Sequence, residues 1–483
     1  MKRLCLMALL LVVGCKSEFD EFKQKVIEDA KSDQRIDQKE YQALAELAAS
    51  SNDRAFKTFK DQDGKIDNEK LSAYLRKFLD SKKLSSVEIS QGDAAPSQIG
   101  AFNVNVFLEN SASMDGYVKG VTNFETAIYN LLGDIRISGI CDSLNLSYIN
   151  KSIPYQKKNA LSPEIQDFIE KLEPATFQLR GGDRSVSDLK SILNTVLHTV
   201  NDRNAAILIS DFVFSPGNKA NANDYLNNQS VGIKIDFAEK LHAFDLAAVI
   251  VHLESNFDGV YYDKTDKPIQ LSTKRPYYIW IIGSTAQVRA ILEKKIVDNI
   301  KGGYAHKLVL QGIKDVQAPA FKIMYKPQIG HFDAKELPQG IITNATASAE
   351  RVFGFDVAVD FSKGLQDASY YLDPANYMLS DKHYHLKAEL IQDKNNPALK
   401  GFTHLLHIST DELSDEVLEL SVIGQSPSWV AQLSSEDDAN IAADNAEKQR
   451  TFGFKYLVDG VCDAFYPPQS PNTISKINIQ IKK

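Results

Sequence analysis

Three oxygen-bearing side chains, Glu109, Ser111 and Ser113, stand on alternate positions in Glu109-Asn110-Ser111-Ala112-Ser113-Met114. A carboxylate and two hydroxyls at that spacing are hard donors that one loop can turn toward a single point. Such a point suits a small divalent cation such as Mg2+ or Mn2+. Two further stretches offer the same chemistry. Arg180-Gly181-Gly182-Asp183-Arg184-Ser185-Val186-Ser187 is a glycine-rich loop with hydroxyls at Ser185 and Ser187, and Asp211 closes the apolar run Ile207-Leu208-Ile209-Ser210. Glu109, Asp183 and Asp211 brought near one point would repel, and a dication would relieve that. Ser111 invites a second reading, as the nucleophile of a hydrolase. Its loop lacks the flanking glycines of a nucleophile elbow, and His252 lies inside an apolar strand, where it reads as a core histidine rather than a base. The chain is therefore expected not to be an enzyme, with hydrolysis at the Ser111 loop as the alternative.

These loops need strands to carry them. Val104 to Leu108 is a short β-rich run, and Phe124, Ala127, Ile128, Leu131 and Leu132 follow at helical spacing. Strand patterns at Leu144 to Ile149, Ala205 to Ser210, Leu246 to Leu253 and Tyr277 to Ile282 alternate with helix patterns at Pro163 to Leu172, around Leu193 to Leu197, at Val231 to Leu241 and at Ala286 to Ile296. That alternation predicts an α/β layer structure with a mostly parallel sheet, whose ligand loops lie at the carboxyl ends of its strands.

The Glu109 loop resembles the metal-ion-dependent adhesion site of the von Willebrand factor A family, whose motif is Asp-x-Ser-x-Ser at the end of the first strand. Glu109 stands here for the aspartate and lengthens the carboxylate arm by one methylene. The glycine-rich loop with Ser185 or Ser187 matches the family's second, hydroxyl-bearing loop, and Asp211 matches its aspartate after the fourth strand. The resemblance covers about residues 101–305. It implies a Rossmann-like fold, a cation (Mg2+ or Mn2+) on Glu109, Ser111, Ser113, Ser185 or Ser187, and Asp211, and an open coordination position taken by a partner protein's carboxylate. The alternative is a metal-free site in a scaffold subunit of an envelope assembly.

The first residues read as an address. Lys2 and Arg3 precede an apolar run from Leu4 to Val13, too short to span a bilayer as a helix. Val12-Val13-Gly14-Cys15 resembles the bacterial lipobox, which implies cleavage after residue 14 and lipidation of Cys15. Several acyl chains on one residue anchor stably. Lys16, not aspartate, follows the cysteine, so the expected place is the outer membrane of a bacterial cell envelope.

Residues 15–82 predict a small helical domain without proline after the signal. Asp33-Gln34-Arg35-Ile36-Asp37-Gln38 and Asp63-Gly64-Lys65-Ile66-Asp67-Asn68 echo one another. The pair resembles two EF-hands, with Asp29, Asp33, Asp37 and Glu40 as ligands of the first loop and Asp61, Asp63 and Asp67 of the second. Lys31 and Gln34 break the first ligand pattern and Phe59 and Lys70 the ends of the second, so calcium is not expected. A Ser/Gly/Pro-rich linker covers residues 83–101, and the α/β domain residues 102–311.

Residues 312–483 predict a β-rich, sandwich-like domain. Phe353, Phe355, Val357, Val359 and Phe361 alternate with small or polar residues, as do Tyr384, Leu386, Ala388 and Leu390. Phe402 to Ile408, Val417 to Ile423 and Ile477 to Ile481 add candidates. His383 and His385 fall on a solvated strand face, so zinc with His404 and His407 is not expected.

The whole chain fits these parts. At 483 residues it exceeds one core, and its 43% hydrophobic and 24% charged residues are ordinary for globular proteins. A net charge of −8 leaves no basic footprint for nucleic acid. Cys5, Cys15, Cys141 and Cys462 show no zinc spacing, and Cys141 and Cys462 are expected to be thiols. The expected function is that of a lipid-anchored envelope protein that binds a partner protein.

Overall fold

In the computed structural model, residues 17–33, 35–36, 38–51, 53–60, 66–82, 84, 87–89, 102–185, 188–217, 221–312, 318–393, 396–468 and 472–483 are described. The signal segment with Cys15, and Ser187, lie outside them. Among the described residues no helix is long and apolar enough to cross a membrane.

The N-terminal part has its own core. Helices α1 (Glu18–Asp33), α2 (Gln38–Ser50) and α3 (Asn68–Ser81) bury Phe22, Val26, Leu44, Leu71 and Leu75 with Phe56. In a calcium-type pair the two loops would pair with each other. Here Arg35–Ile36 instead pairs in parallel with Glu88–Ile89, and Ile66 bridges Lys60. Asp67 caps α3 by accepting from the Lys70 backbone N–H at 3.1 Å, and its carboxylate pairs with the Lys70 ammonium at 2.8 Å. That carboxylate thus does helix-capping work. Asp29 pairs with Lys25 at 3.6 Å. Of the other proposed calcium ligands Glu40 is half-buried, while the side chains of Asp33, Asp37, Asp61 and Asp63 lie outside the described residues.

The central domain is built on a seven-stranded sheet of order β3-β2-β1-β4-β6-β5-β7. The strands are β1 (Phe102–Glu109), β2 (Cys141–Ile149), β3 (Tyr155–Lys157), β4 (Asn204–Ser210), β5 (Leu246–Tyr262), β6 (Pro268–Ser284) and β7 (Tyr304–Gln311). Helices α4 (Asn123–Ser138), α5 (Leu189–Thr199), α6 (Ala222–Ala243) and α7 (Thr285–Glu293) alternate with them. Thr122 and Glu125 form a capping box that starts α4 directly after the Ser111 loop.

The sheet is mixed, not mostly parallel. β1 runs parallel to β2 and β4, but β6 runs antiparallel to both β4 and β5, and β7 antiparallel to β5. The expectation of parallel strands rested on the alternation of helix patterns with continuous apolar strand runs. Burial on both faces produces such runs whichever way a strand points, so the pattern cannot give direction.

β5 and β6 form one long hairpin, paired from Leu246 with Ser284 to Tyr262 with Pro268. β6 pairs with β4 only between Ile282 and Tyr278. Residues 254–276 therefore run past the carboxyl edge of β4 and bend over the loop Ala112–Tyr117. Gly116 and Gly259 permit that approach, because a Cβ on Gly259 would lie 2.6 Å from the Gly116 Cα.

The C-terminal part holds two larger sheets and a two-stranded one that joins Ser434–Ser435 to Thr451–Phe452. One has the order β8-β11-β14-β13, made of β8 (Phe321–Ile329), β11 (Phe353–Val359), β14 (His404–Thr410) and β13 (Tyr384–Leu390). The other has the order β9-β10-β16-β15-β12, made of β9 (His331–Asp333), β10 (Ile341–Thr346), β16 (Thr473–Ile481), β15 (Glu416–Ile423) and β12 (Tyr377–Leu379). Within the two larger sheets all described pairings are antiparallel except β10 with β16, and the two-stranded sheet is parallel. The segment after β15 departs from the β-rich expectation. It forms α8 (Phe454–Phe465) and packs back on the α/β layers, with Phe454 stacked 4.0 Å from Tyr278 and Phe465 6.4 Å from Phe237. The buried residues of both parts form one continuous core.

Candidate functional site

The carboxyl ends of β1 and β4 deliver Glu109 and Asp211 into the same buried chamber, where they are 1% and 3% exposed. The Glu109 carboxylate accepts the Ser210 hydroxyl, whose oxygen in turn accepts the Phe212 backbone N–H at 2.8 Å. Asp211 accepts the Val213 backbone N–H at 3.3 Å and a hydrogen bond from Ser113. Ser111 and Ser113 place their hydroxyls 3.0 Å apart. Four of the expected donors, Glu109, Ser111, Ser113 and Asp211, thus converge.

The glycine-rich loop meets them differently. Ser185 turns away to Asp183 at 2.6 Å, and Asp183 pairs with Lys151 at 2.5 Å, all at the surface. Lys151 and Ser185 hold the Asp183 carboxyl well below the usual carboxylate range. Asp183 therefore adds no charge to the chamber. The loop contributes Arg184 instead. Its guanidinium donates to the Asn110 carbonyl at 2.6 Å and the Ser111 carbonyl at 3.1 Å, and it pairs with Asp115. Asn150 ties the third loop in, donating to the Asn110 side chain at 2.8 Å and to the Gly181 carbonyl at 3.1 Å. Gly182 is required there, because at φ +83° its Cβ would lie 2.3 Å from the Asn150 amide nitrogen.

The roof over the chamber comes from elsewhere in the chain. The overrunning hairpin places Arg275, 1% exposed, in the chamber. Its guanidinium donates to the carbonyls of Lys448 and Arg450, both at 3.2 Å, and lies 4.4 Å over the Tyr261 ring. It is also hydrogen-bonded to Tyr117, whose hydroxyl donates to the Pro276 carbonyl at 2.6 Å. Tyr261 donates to the buried Asp438 at 2.5 Å, and the Lys264 backbone N–H donates to the same carboxylate at 3.0 Å. Tyr278 and Thr451 share a hydrogen bond of 3.1 Å. Residues 434–452 thus clamp the hairpin down over Glu109 and Asp211.

Burial pushes Asp211 up to about 7, Glu109 beside it adds to the rise, and Arg275 opposes it. Burial beside a second carboxylate disfavours the charged form of Asp211, and a proton on it relieves the repulsion. A divalent cation in the same chamber would stand beside a fixed guanidinium. Ser185 points elsewhere, and Glu109, Ser111 and Asp211 are buried, with Ser113 alone of the four converging donors partly exposed. The residues present do not fit the cation site that the resemblance implies. Among the described residues, no group of three or more His, Cys, Asp or Glu side chains could hold a metal ion.

The other sequence candidates are spread out. His252 is 1% exposed, with neither ring nitrogen hydrogen-bonded, stacked on Trp429 at 6.0 Å and paired in the sheet with Tyr278. His404 bonds Thr403 at 2.7 Å and the Ala368 carbonyl at 2.9 Å, His407 meets Asp356 at 2.8 Å, and His383 meets Asp381 at 3.0 Å. These last three histidines each have their own local partner. Cys141 and Cys462 are free thiols. The residues that sequence reading missed are Arg275, Tyr117, Tyr261 and Asp438. The available signal was the polar alternation of residues 254–276, which extends both apolar strand runs outward.

The chain matches no family model, no curated protein and no solved structure.

Proposed function

We propose that the chain is a lipid-anchored envelope protein that binds or scaffolds a partner protein through a von Willebrand factor A-like domain whose central carboxylate site is metal-free. The observation that carries this is the closed chamber. Glu109 and Asp211 lie under a roof formed by residues 254–276 and 434–452, with Arg275 supplying positive charge beside them. In this reading the site holds three loops in register and the partner is met by the outer surface of the domain. The hydrolase reading loses support from the same burial, because Ser111 is 5% exposed and its hydroxyl is engaged by Ser113.

The test is crosslinking of the full chain in intact envelopes, with and without EDTA, in wild type and Ser111→Ala. The same crosslinked partner should be recovered at equal yield in all four conditions. Loss of the partner in EDTA would overturn the metal-free reading. A hydrolytic activity abolished by Ser111→Ala would overturn the non-enzymatic one.

A further inference from the structure

We infer that Arg275 is a built-in counter-cation, taking at the Glu109–Asp211 centre the electrostatic place that a divalent ion would otherwise fill. The inference rests on the metal-free reading above and names the residue that makes the site metal-free.

The argument is one of placement. An ionised group is buried only where it is paired and hydrogen-bonded. Arg275 has no carboxylate in hydrogen-bond contact among the described residues. Its donors go to neutral groups, the Lys448 and Arg450 carbonyls and Tyr117, and its face lies on the Tyr261 ring. These contacts satisfy its N–H groups and leave its charge to be answered by the chamber. The acidic groups that share the chamber are Asp211, which follows β4, the neighbour of the Arg275 strand β6, and Glu109, which ends β1 on the other side of β4. Asp438 lies on the far side of Tyr261, where it is engaged by the Tyr261 hydroxyl and the Lys264 backbone. A guanidinium fixed by neutral acceptors beside the buried Asp211 carboxyl, which itself neighbours Glu109, does what a hard cation does at such a point, but from a covalent tether.

A consequence follows for metal. With the tethered charge in place, an added dication is repelled. With it removed, two carboxylates and the hydroxyls of Ser111 and Ser113 remain as a donor set without a cation. Replacing Arg275 by an uncharged residue of similar length should therefore create a divalent-ion site.

The experiment uses the full chain in detergent as wild type, Arg275→Met, Asp211→Asn and the Arg275→Met/Asp211→Asn pair. MnCl2 is the probe, read by loss of the free-ion electron paramagnetic resonance signal and by the shift in Tm. Wild type should show no Mn2+ binding that Asp211→Asn removes. Arg275→Met should bind Mn2+ at least about tenfold tighter than wild type, the order of effect that removing one nearby like charge gives. Its Tm should rise with Mn2+, and the double variant should lose both responses. Any ion held by the N-terminal helices survives Asp211→Asn and is thereby separated.

Asp211-dependent Mn2+ binding in wild type would overturn the inference, as would a folded Arg275→Met that binds no Mn2+. If Arg275→Met does not fold, the double variant decides. Recovery of folding on neutralising Asp211 supports the charge pairing, and failure to recover overturns it. A partner lost in EDTA while wild type shows no Asp211-dependent Mn2+ binding would sink the functional reading and leave the role of Arg275 standing.

Discussion

Asp211→Asn should change how stability depends on pH more than it changes stability itself. The substitution keeps the shape of the side chain and an oxygen for the Val213 N–H. It removes a carboxyl that burial and Glu109 push from 3.8 up to about 7. A carboxyl raised on folding takes up a proton when the chain folds. Its contribution is fully present below the unfolded value and is lost as pH rises through the folded one. Between pH 3.8 and about 7 the loss is at most roughly 4 kcal/mol, at about 1.4 kcal/mol per pH unit. Glu125, pushed up to about 7 chiefly by burial, adds a slope of the same sign. The difference between wild type and Asp211→Asn isolates the Asp211 part. The chain holds two tryptophans. Trp280 is stacked 5.0 Å from Phe212, and Trp429 lies on the returning segment, so tryptophan fluorescence reports this region during urea unfolding. The two stability curves should lie together near pH 4 and separate as pH rises to 8, with Asp211→Asn the flatter and the more stable at pH 8. Parallel curves, with the variant weaker at every pH, would refute the reasoning. They would mean that Asp211 is held as an anion by a full counter-charge and carries no excess.

His252 should act on the acid side. Burial and the neighbouring His306 push it down to about 4, so its contribution is present above about 6.5 and is lost as pH falls toward 4. His252→Phe, which keeps the ring beneath Trp429, should stabilise the protein at pH 5 by about 1–2 kcal/mol and change little at pH 8, measured by the same urea series. Cys15→Ser should abolish labelling by radioactive palmitate and release the chain from the membrane fraction, and continued labelling would remove the lipobox reading.

The α/β layering and the convergence of Glu109, Ser111, Ser113 and Asp211 were legible because both are written locally. Each strand run ends in its own polar residue, and the open-sheet rule brings such ends together. Strand direction in the second half was not legible. Leu246 to Leu253 and Tyr277 to Ile282 are apolar on both faces, and only the five-residue turn Asp263–Lys267 between their extensions distinguishes a hairpin from a crossover. With Asp266 at φ +61° and the Asp263 N–H bonded to the Lys267 carbonyl at 3.1 Å, that turn is too tight for anything but antiparallel pairing. The return of residues 428–466 to the central domain was not legible either. α8 packs its apolar side on α6, and nothing local in a helix states which surface it will cover.

The same distinction explains why a motif can survive while its chemistry changes. The loop Glu109 to Met114 is specified by neighbours in sequence, so the hydroxyl spacing persists as long as the strand-to-helix turn does. Whether that loop holds an ion depends on the sum of charges around it, and those charges come from residues distant in sequence. Arg275 arrives on a hairpin, and its carbonyl partners Lys448 and Arg450 arrive from the segment between β15 and β16. Glu109 fits this arrangement where the shorter aspartate would not reach. Its carboxylate reaches across to the Ser210 hydroxyl on β4 and so spends an oxygen on joining two strands. Shortening it by Glu109→Asp should break that link and cost about 1–2 kcal/mol, with no gain in response to Mg2+ or Mn2+ while Arg275 is present. A gain would mean that the arm length, and not the guanidinium, keeps the ion out.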